Sequence, residues 1–311
     1  SGIYNSTSGV NNLNQFIQAE KITKDLNPTY GSIQKLFQRR IDLVTFCEDR
    51  VVKIMSNKDA LYNADGNSQL VATNRVLGDA NPFAGDYGIS KDPSSFAKES
   101  YRAYFTDRQR GAVLRLSMDG LTPISNVGMK DWFKDNLRGA SNIVASYDDL
   151  KGDYNLTIDN HTLSFSEDVK GWTSFKSFIQ ETGISVANNY YTFDSGRPWL
   201  HHAVSSLGGI NVDRNTFYGV GPNDDLNARS SITTLLNDQP QVIKSYNTLN
   251  YEGDAGWICD SFITDQQGGT VPEFIEKEGK WFNYIRGTND VDLQSFNFQG
   301  IGQTIGIEYS I

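Results

Sequence analysis

The chain is poor in the residues that usually carry chemistry. Of 311 residues only two are cysteine and three are histidine. Cys47 and Cys259 are far apart and form no CxxC pair, so their spacing argues against a zinc or redox centre. Two buried free thiols are expected, and the chain then needs no oxidising compartment. Charged residues make up 21%, below the ~25% of ordinary globular chains. No apolar run approaches the ~18 residues of a membrane-crossing helix. The opening SGIYNSTSGV has neither a basic nor an apolar leader region and no initiator Met. It predicts no signal peptide, and fits a processed product or a segment of something longer. The glycosylation sequons at Asn5, Asn155 and Asn160 therefore carry no weight.

Aromatics are abundant by contrast: 17 Phe, 15 Tyr and 5 Trp, or 12% of the chain. That is ample core material and excludes overall disorder. The length suits two domains of ~150 residues or one large all-β unit. Net charge is −9. Binding to a nucleic-acid backbone needs clustered Lys and Arg, so this balance argues against it. An acidic wall that repels passing DNA remains compatible with it.

Turn signals recur at roughly ten-residue spacing: NADGN (63–67), GDANP (78–82), SMDG (117–120), IDNH (158–161) and GVGPNDD (219–225). Between them lie short runs rich in β-branched and aromatic residues, among them 41–46, 51–55, 101–105, 112–116, 154–158, 162–165 and 184–193. Several alternate apolar and polar, as half-buried strands do. Residues 41–66 read as a meander: strand DLVTFC, a turn at Glu48-Asp49-Arg50, strand VVKIM, then a third edge and turn in KDALYNADG. Residues 101–124 repeat the order, and 143–165 repeat it again. Three imperfect units, each a strand ending in an acid and a polar turn before the next strand, predict a mainly β fold of propeller-like blades. Blades must stack to bury both faces.

Helical signals are few. Residues 128–137 (GMKDWFKDNL) space their apolar side chains at three and four. Val271–Ile285 follows a possible Thr270 N-cap, carries Pro272 and Glu273 in its first turn, and meets Gly279 as a stop. Residues 11–25 form a third amphipathic candidate. The expected organisation is an N-terminal arm or helix (1–30), a β-rich body (31–260) and a helix-containing C-terminal segment (261–311).

The stretch YFTDRQRGAVLRLSMDGLTPIS (104–125) resembles an NHL-type propeller blade, in which an aspartate follows one strand and a basic turn leads to the next. More specifically, phrases in a fixed order across 31–287 resemble tail nozzle, muzzle or stabilization proteins of crAss-like phages and structural proteins of marine myoviruses. They include GSIQKLFQRRIDLVTFCEDRVVKI (31–54), ALYNADG (60–66), GDYGISKDPSSFA (85–97), RAYFTDRQRGAVLRLSMDGLTPIS with GMKDWFKDNL (102–137), SFSEDVKGWTSF (164–175) and EFIEKEGKWFNYIRG (273–287). Known members are usually much longer than this chain. The resemblance implies a virion tail location, assembly as a homo-oligomeric ring beside other tail, adaptor or portal proteins, transient passage of genomic DNA without specific binding, and no catalytic residues.

The remaining motifs read as structural. His201-His202 and His161 do not make a zinc set, because adjacent residues on a strand face opposite sides. There is no GxSxG elbow, and Tyr218–Pro222 lacks the GK[ST] of a phosphate loop. Ser166–Ser174 bears a faint likeness to the aspartate box of sialidase propellers, but at the wrong spacing and only once. The acid pairs Glu48/Asp49, Asp148/Asp149 and Asp224/Asp225 fall in turns, where carboxylates cap backbone N–H groups. Asn63–Asn67 lacks the spacing of a calcium loop. No catalytic, metal or cofactor residue is therefore expected. The leading expectation is a non-enzymatic, oligomeric tail wall, with Asp224-Asp225 and Asp290–Asp292 facing its lumen. The alternatives are a carbohydrate-binding tail module using exposed aromatics such as Trp199 or Trp257, and a propeller glycosidase, which needs a carboxylate pair ~5–10 Å apart.

Overall fold

A computed structural model describes residues 4–12, 14–15, 24–39, 42–62, 68–203, 215–221, 224, 229–242, 244, 246–264, 268–285 and 309–310, with backbone alone over 56–62, 68–76 and 309–310. Two compact units divide between Ala203 and Val204.

The first unit opens with a small hairpin, β1 (Tyr4–Asn5) and β2 (Val10–Asn11), and a 3-10 turn at Pro28–Tyr30. Four antiparallel meanders follow. The first is β3 (Ile33–Arg39), β4 (Asp42–Cys47), β5 (Val51–Tyr62) and β6 (Ser68–Pro82), hydrogen-bonded in that order. The second is β7 (Ala97–Lys98), β8 (Ala103–Asp107), β9 (Ala112–Ser117) and β10 (Gly120–Pro123). Helix α1 (Lys130–Gly139) leads into the third: β11 (Ile143–Asp148), β12 (Asp153–Ile158), β13 (His161–Ser166) and β14 (Gly171–Lys176). The fourth has three strands, β15 (Thr182–Val186), β16 (Asn189–Asp194) and β17 (Arg197–Leu200).

The strand period of two explains the stacking. Along β8, Ala103 and Phe105 enter a core with Val44, Phe46, Val51 and Leu114, while Tyr104 between them enters a second core with Tyr154, Leu156 and Phe165. The second meander is therefore covered on both faces, and β8 is buried along its whole length. Helix α1 adds Phe133 and Leu137, both fully buried, to the second core. Phe133 lies 4.6 Å from the Trp172 ring.

The second unit holds β18 (Thr248–Tyr251), β19 (Ile258–Ile263), β20 (Gly268–Val271), β21 (Ile275–Lys277), β22 (Lys280–Tyr284) and β23 (Tyr309–Ser310), in sheets ordered β18-β22-β21 and β20-β19-β23. Leu249, Cys259, Val271 and Ile285 form its buried centre. Both cysteines are free and buried, as their spacing predicts.

The mainly β, meander-built class and the helix near 128–137 agree with the sequence reading. Four expectations need correction or restriction. Val271–Ile285 is not helical: β21 and β22 pair as a hairpin closed by Glu278 (φ 54°) and Gly279 (φ 77°). The Pro272-Glu273 start signal is local, whereas Trp281, Phe282 and Tyr284 gain more by pairing across to β18. GDANP (78–82) is not a turn but the end of β6, where Ala80 pairs with Ile54 and Pro82 with Val52. KDALY does not form a separate edge but continues β5, and NADGN lies outside the described residues. Most of the helix expected at 11–25 lies outside them too.

Candidate functional site

The acids at strand ends are spent on the seams between meanders. Asp107, the last residue of β8, is fully buried. Its carboxylate accepts from the Gly88 N–H (3.1 Å), the Ser90 hydroxyl (3.2 Å), the Arg110 N–H (3.1 Å) and the Arg110 guanidinium (2.9 Å). The same 88–90 segment runs along the β4–β5 turn, with Ile89 N–H donating to Cys47 O and Ser90 N–H to Glu48 O. Gly88 is required there: a Cβ would stand 2.1 Å from Glu48 O. Arg110 also reaches Asp49 at 3.4 Å. One buried carboxylate thus ties the second meander to the linker and, through it, to the first. Glu48 accepts from the Ser32 N–H and hydroxyl, which holds its carboxyl below the usual range.

The second seam repeats the device with other residues. Tyr104 donates to Glu167 at 2.7 Å, and Arg115 pairs with the other carboxylate oxygen at 2.8 Å. Burial, with that hydrogen bond second, pushes the Tyr104 phenol far above its ordinary range. Tyr154 donates to Ser95 O, and Ser94 to Ile143 O. Arg108 reaches Ala140 O and sits 3.6 Å from Asp92, whose carboxyl burial pushes up.

The third seam is polar almost throughout. Ser146 meets Gln180 Oε1 and the Tyr190 hydroxyl, each at 2.6 Å, and Asn155 donates to the same hydroxyl at 3.2 Å. Gly183 admits this approach, since a Cβ there would meet Ser146 at 2.6 Å. Asp148, the last residue of β11, accepts from the Leu150 and Lys151 N–H groups and contacts His202 Nε2 at 2.5 Å. Asp107 and Asp148 thus sit at equivalent strand ends and act alike. Sequence reasoning identified such turn acids as caps but missed Tyr190 and Asn155, polar groups within strand-forming runs, and Gln180 in the connection between β14 and β15.

Beyond that seam the stack presents an open face. Cross-strand rows Ile184–Tyr191–Leu200 and Thr182–Phe193–Pro198 share one side of the fourth sheet. Ile184, Val186 and Leu200 are exposed, and Tyr191 and Phe193 are half-buried. A separate groove of about 340 Å³ lies against Phe37, Arg39, Lys98, Glu99, Tyr101 and Met118.

The sequence-singled residues do not converge. His161 packs against Trp132 and Phe175, away from His201 and His202, whose rings are 6.1 Å apart just past β17. Among the described residues no group of His, Cys, Asp or Glu could hold a metal. Asp224 accepts from Gly221 N–H as a turn cap, whereas Asp225 and Asp290–Asp292 lie outside the described residues. Among the described residues no helix is long and apolar enough to cross a membrane.

Stacked antiparallel meanders with seams closed by hydrogen-bonded acids define a mainly β protein. The family it represents follows from comparison. The model of the crassvirus muzzle protein matches residues 19–196, and that of the crassvirus muzzle protein C-terminal domain matches 212–288. The chain belongs to the crassvirus muzzle protein family, a family of virion structural proteins of the phage tail. The muzzle protein of Bacteroides phage crAss001 is 23% identical to it over 281 residues, covering 86% of this chain and 18% of that relative. The chain thus spans about a fifth of that relative's length.

Proposed function

We propose that this chain is a non-enzymatic wall segment of a phage tail, in which its stacked meanders, as blades of a propeller-like body, stiffen a homo-oligomeric ring beside other tail, adaptor or portal proteins. The observation that carries the reading is the pairing of two features: seams closed by hydrogen-bonded carboxylates, of which Asp107 and Asp148 are buried, and an exposed apolar face at the end of the stack. Engaged acids make a rigid body, and an open apolar face of a rigid body is where another surface packs. Genomic DNA passes through the ring without specific binding, repelled by an acidic lumen to which Asp224-Asp225 and Asp290–Asp292 contribute.

The test is mass photometry and electron microscopy of the full chain beside Ile184→Glu and Val186→Glu. Discrete rings are expected from the wild type, and lower species with unchanged circular dichroism from the variants. A monomer at every concentration, or rings untouched by both substitutions, would overturn the assignment. A net basic inner wall in the assembled ring would refute the sliding role alone.

A second reading, a host-glycan-binding module, is favoured by the groove at Tyr101. Its ring is exposed, with Arg39, Lys98 and Glu99 around it, the mixture of flat apolar surface and hydrogen-bonding groups that sugars use. Glycan-array binding lost in Tyr101→Ala would support it; an array blank for the wild type would remove it. Hydrolysis of host polysaccharide would revive the glycosidase alternative.

A further inference from the structure

The exit of the chain from the first unit is held by two consecutive histidines. His201 N–H donates to Tyr190 O, and its imidazole lies 4.8 Å from Phe178, 4.9 Å from Tyr190 and 2.5 Å, through Nε2, from the Thr192 hydroxyl. His202 adopts φ 59°, a conformation unfavourable for a side chain with a Cβ. That backbone brings its Nε2 to Asp148, which is 2% exposed and already caps the β11–β12 turn. The next residue, Ala203, ends the unit, and the two family models stop at 196 and resume at 212, on either side of this segment.

We propose that His201 and His202 form an acid-released latch, which holds β17 and residues 201–203 against β16 and β11 at neutral pH and lets them go on acidification. The division of labour follows from the contacts. A hydrogen bond from His202 Nε2 to a carboxylate survives in either protonation state, because that nitrogen can carry a proton in both. His202 is therefore the anchor. His201 is buried among Phe178, Tyr190 and Thr192, where a charged ring is disfavoured. Among the described residues, the titratable and charged groups around the pair are Asp148 of β11, Asp153 of β12, Lys176 of β14 and the Tyr190 phenol of β16. Burial first, with His202 and Lys176 outweighed only in part by Asp148, lowers His201 to about 4 from 6.5. A group depressed in the folded state gives stability above its free value and loses it as pH falls, so the window of release lies below pH 6.5.

Hydrogen exchange of the full chain tests this, with intrinsic rates corrected for pH. Between pH 7.5 and pH 5.0, protection of peptides within 197–203 should fall about thirtyfold, while β11–β13 keep theirs. His201→Phe, which retains the ring stacking but cannot titrate, should remove the pH dependence. Unchanged wild-type protection at pH 5.0, or the same fall in His201→Phe, would overturn the latch. If that variant does not fold, an imidazole NMR titration of the wild type decides: a depressed midpoint for His201 supports the proposal, and an ordinary midpoint near 6.5 refutes it.

Discussion

Asp107→Ala is the sharpest perturbation of the stack. The carboxylate is fully buried and receives four hydrogen bonds: from Gly88, from Ser90 and two from Arg110. Removing it leaves the Gly88 and Arg110 N–H groups without this acceptor. Each bond to a charged group contributes ~1.5–3 kcal/mol, but such terms overlap rather than add. Removing one partner of a buried ion pair costs ~3–5 kcal/mol. Arg110 is about one-third exposed (34%) and regains water, which pulls the figure toward the low end. We expect about 3 kcal/mol, concentrated in one place. Native-state hydrogen exchange should show it as a loss of protection of roughly a hundredfold, centred on 88–90 and 103–117. Asp107→Asn keeps an acceptor but loses the charge, and should cost about half as much. A change below ~1 kcal/mol for the alanine variant, or a loss spread evenly over the first unit, would show that this carboxylate does not hold the seam.

Three further outcomes follow from particular contacts. Gly88→Ala places a methyl 2.1 Å from Glu48 O and must lift the linker off the first turn, costing about 3 kcal/mol; a urea midpoint equal to wild type would contradict that. Phe133→Ala empties a fully buried site beside Trp172 and should cost ~3–5 kcal/mol with a shift in tryptophan emission, unless the surrounding core collapses to fill the space. Tyr104, Tyr147 and Tyr154 are all raised by burial well above ordinary phenols. A raised phenol keeps its stabilising effect below the unfolded value near 10 and loses it as pH climbs beyond. Absorbance at ~295 nm should therefore show these three ionising only together with alkaline unfolding; their smooth titration in the folded protein would be contrary.

How far the sequence spoke can be judged element by element. The second and third meanders were legible because alternation and turn chemistry coincide: AVLRLS against YFTD, and YNLTID against HTLSFS, leave little freedom in register. Helix α1 was legible because its Trp132, Phe133 and Leu137 fall at helical spacing. The hairpin at 275–284 was not. Thr270, Pro272 and Glu273 are short-range helix signals, and what outweighs them is a cross-strand partner, Thr248–Tyr251, some thirty residues away. The polar seam was hidden for a related reason. Ser146, Asn155 and Tyr190 look like ordinary strand residues, and Gln180 like an ordinary connecting residue, until the third and fourth sheets face each other. The open apolar face was equally invisible, because alternation marks two faces of a strand without saying which one a neighbour covers.

The seams also change how the acidity should be read. A formal net charge of −9 suggests a uniformly negative surface. Yet Asp107 and Asp148 are buried, Glu48 is held by Ser32, and Asp159 accepts from the Ser141 and Asn142 N–H groups. Asp107, Asp49 and Glu167 face arginines. Carboxylates paired with arginine project little field beyond their own contacts, and salt screens exposed charges within about 8 Å. On the proposed reading, repulsion of a passing polyanion falls to acids that face no arginine, Asp224 among the described ones. The proposed sliding role therefore makes a demand that net charge alone does not: neutralising acids that face no arginine should slow DNA passage, whereas removing a seam acid should chiefly weaken the wall.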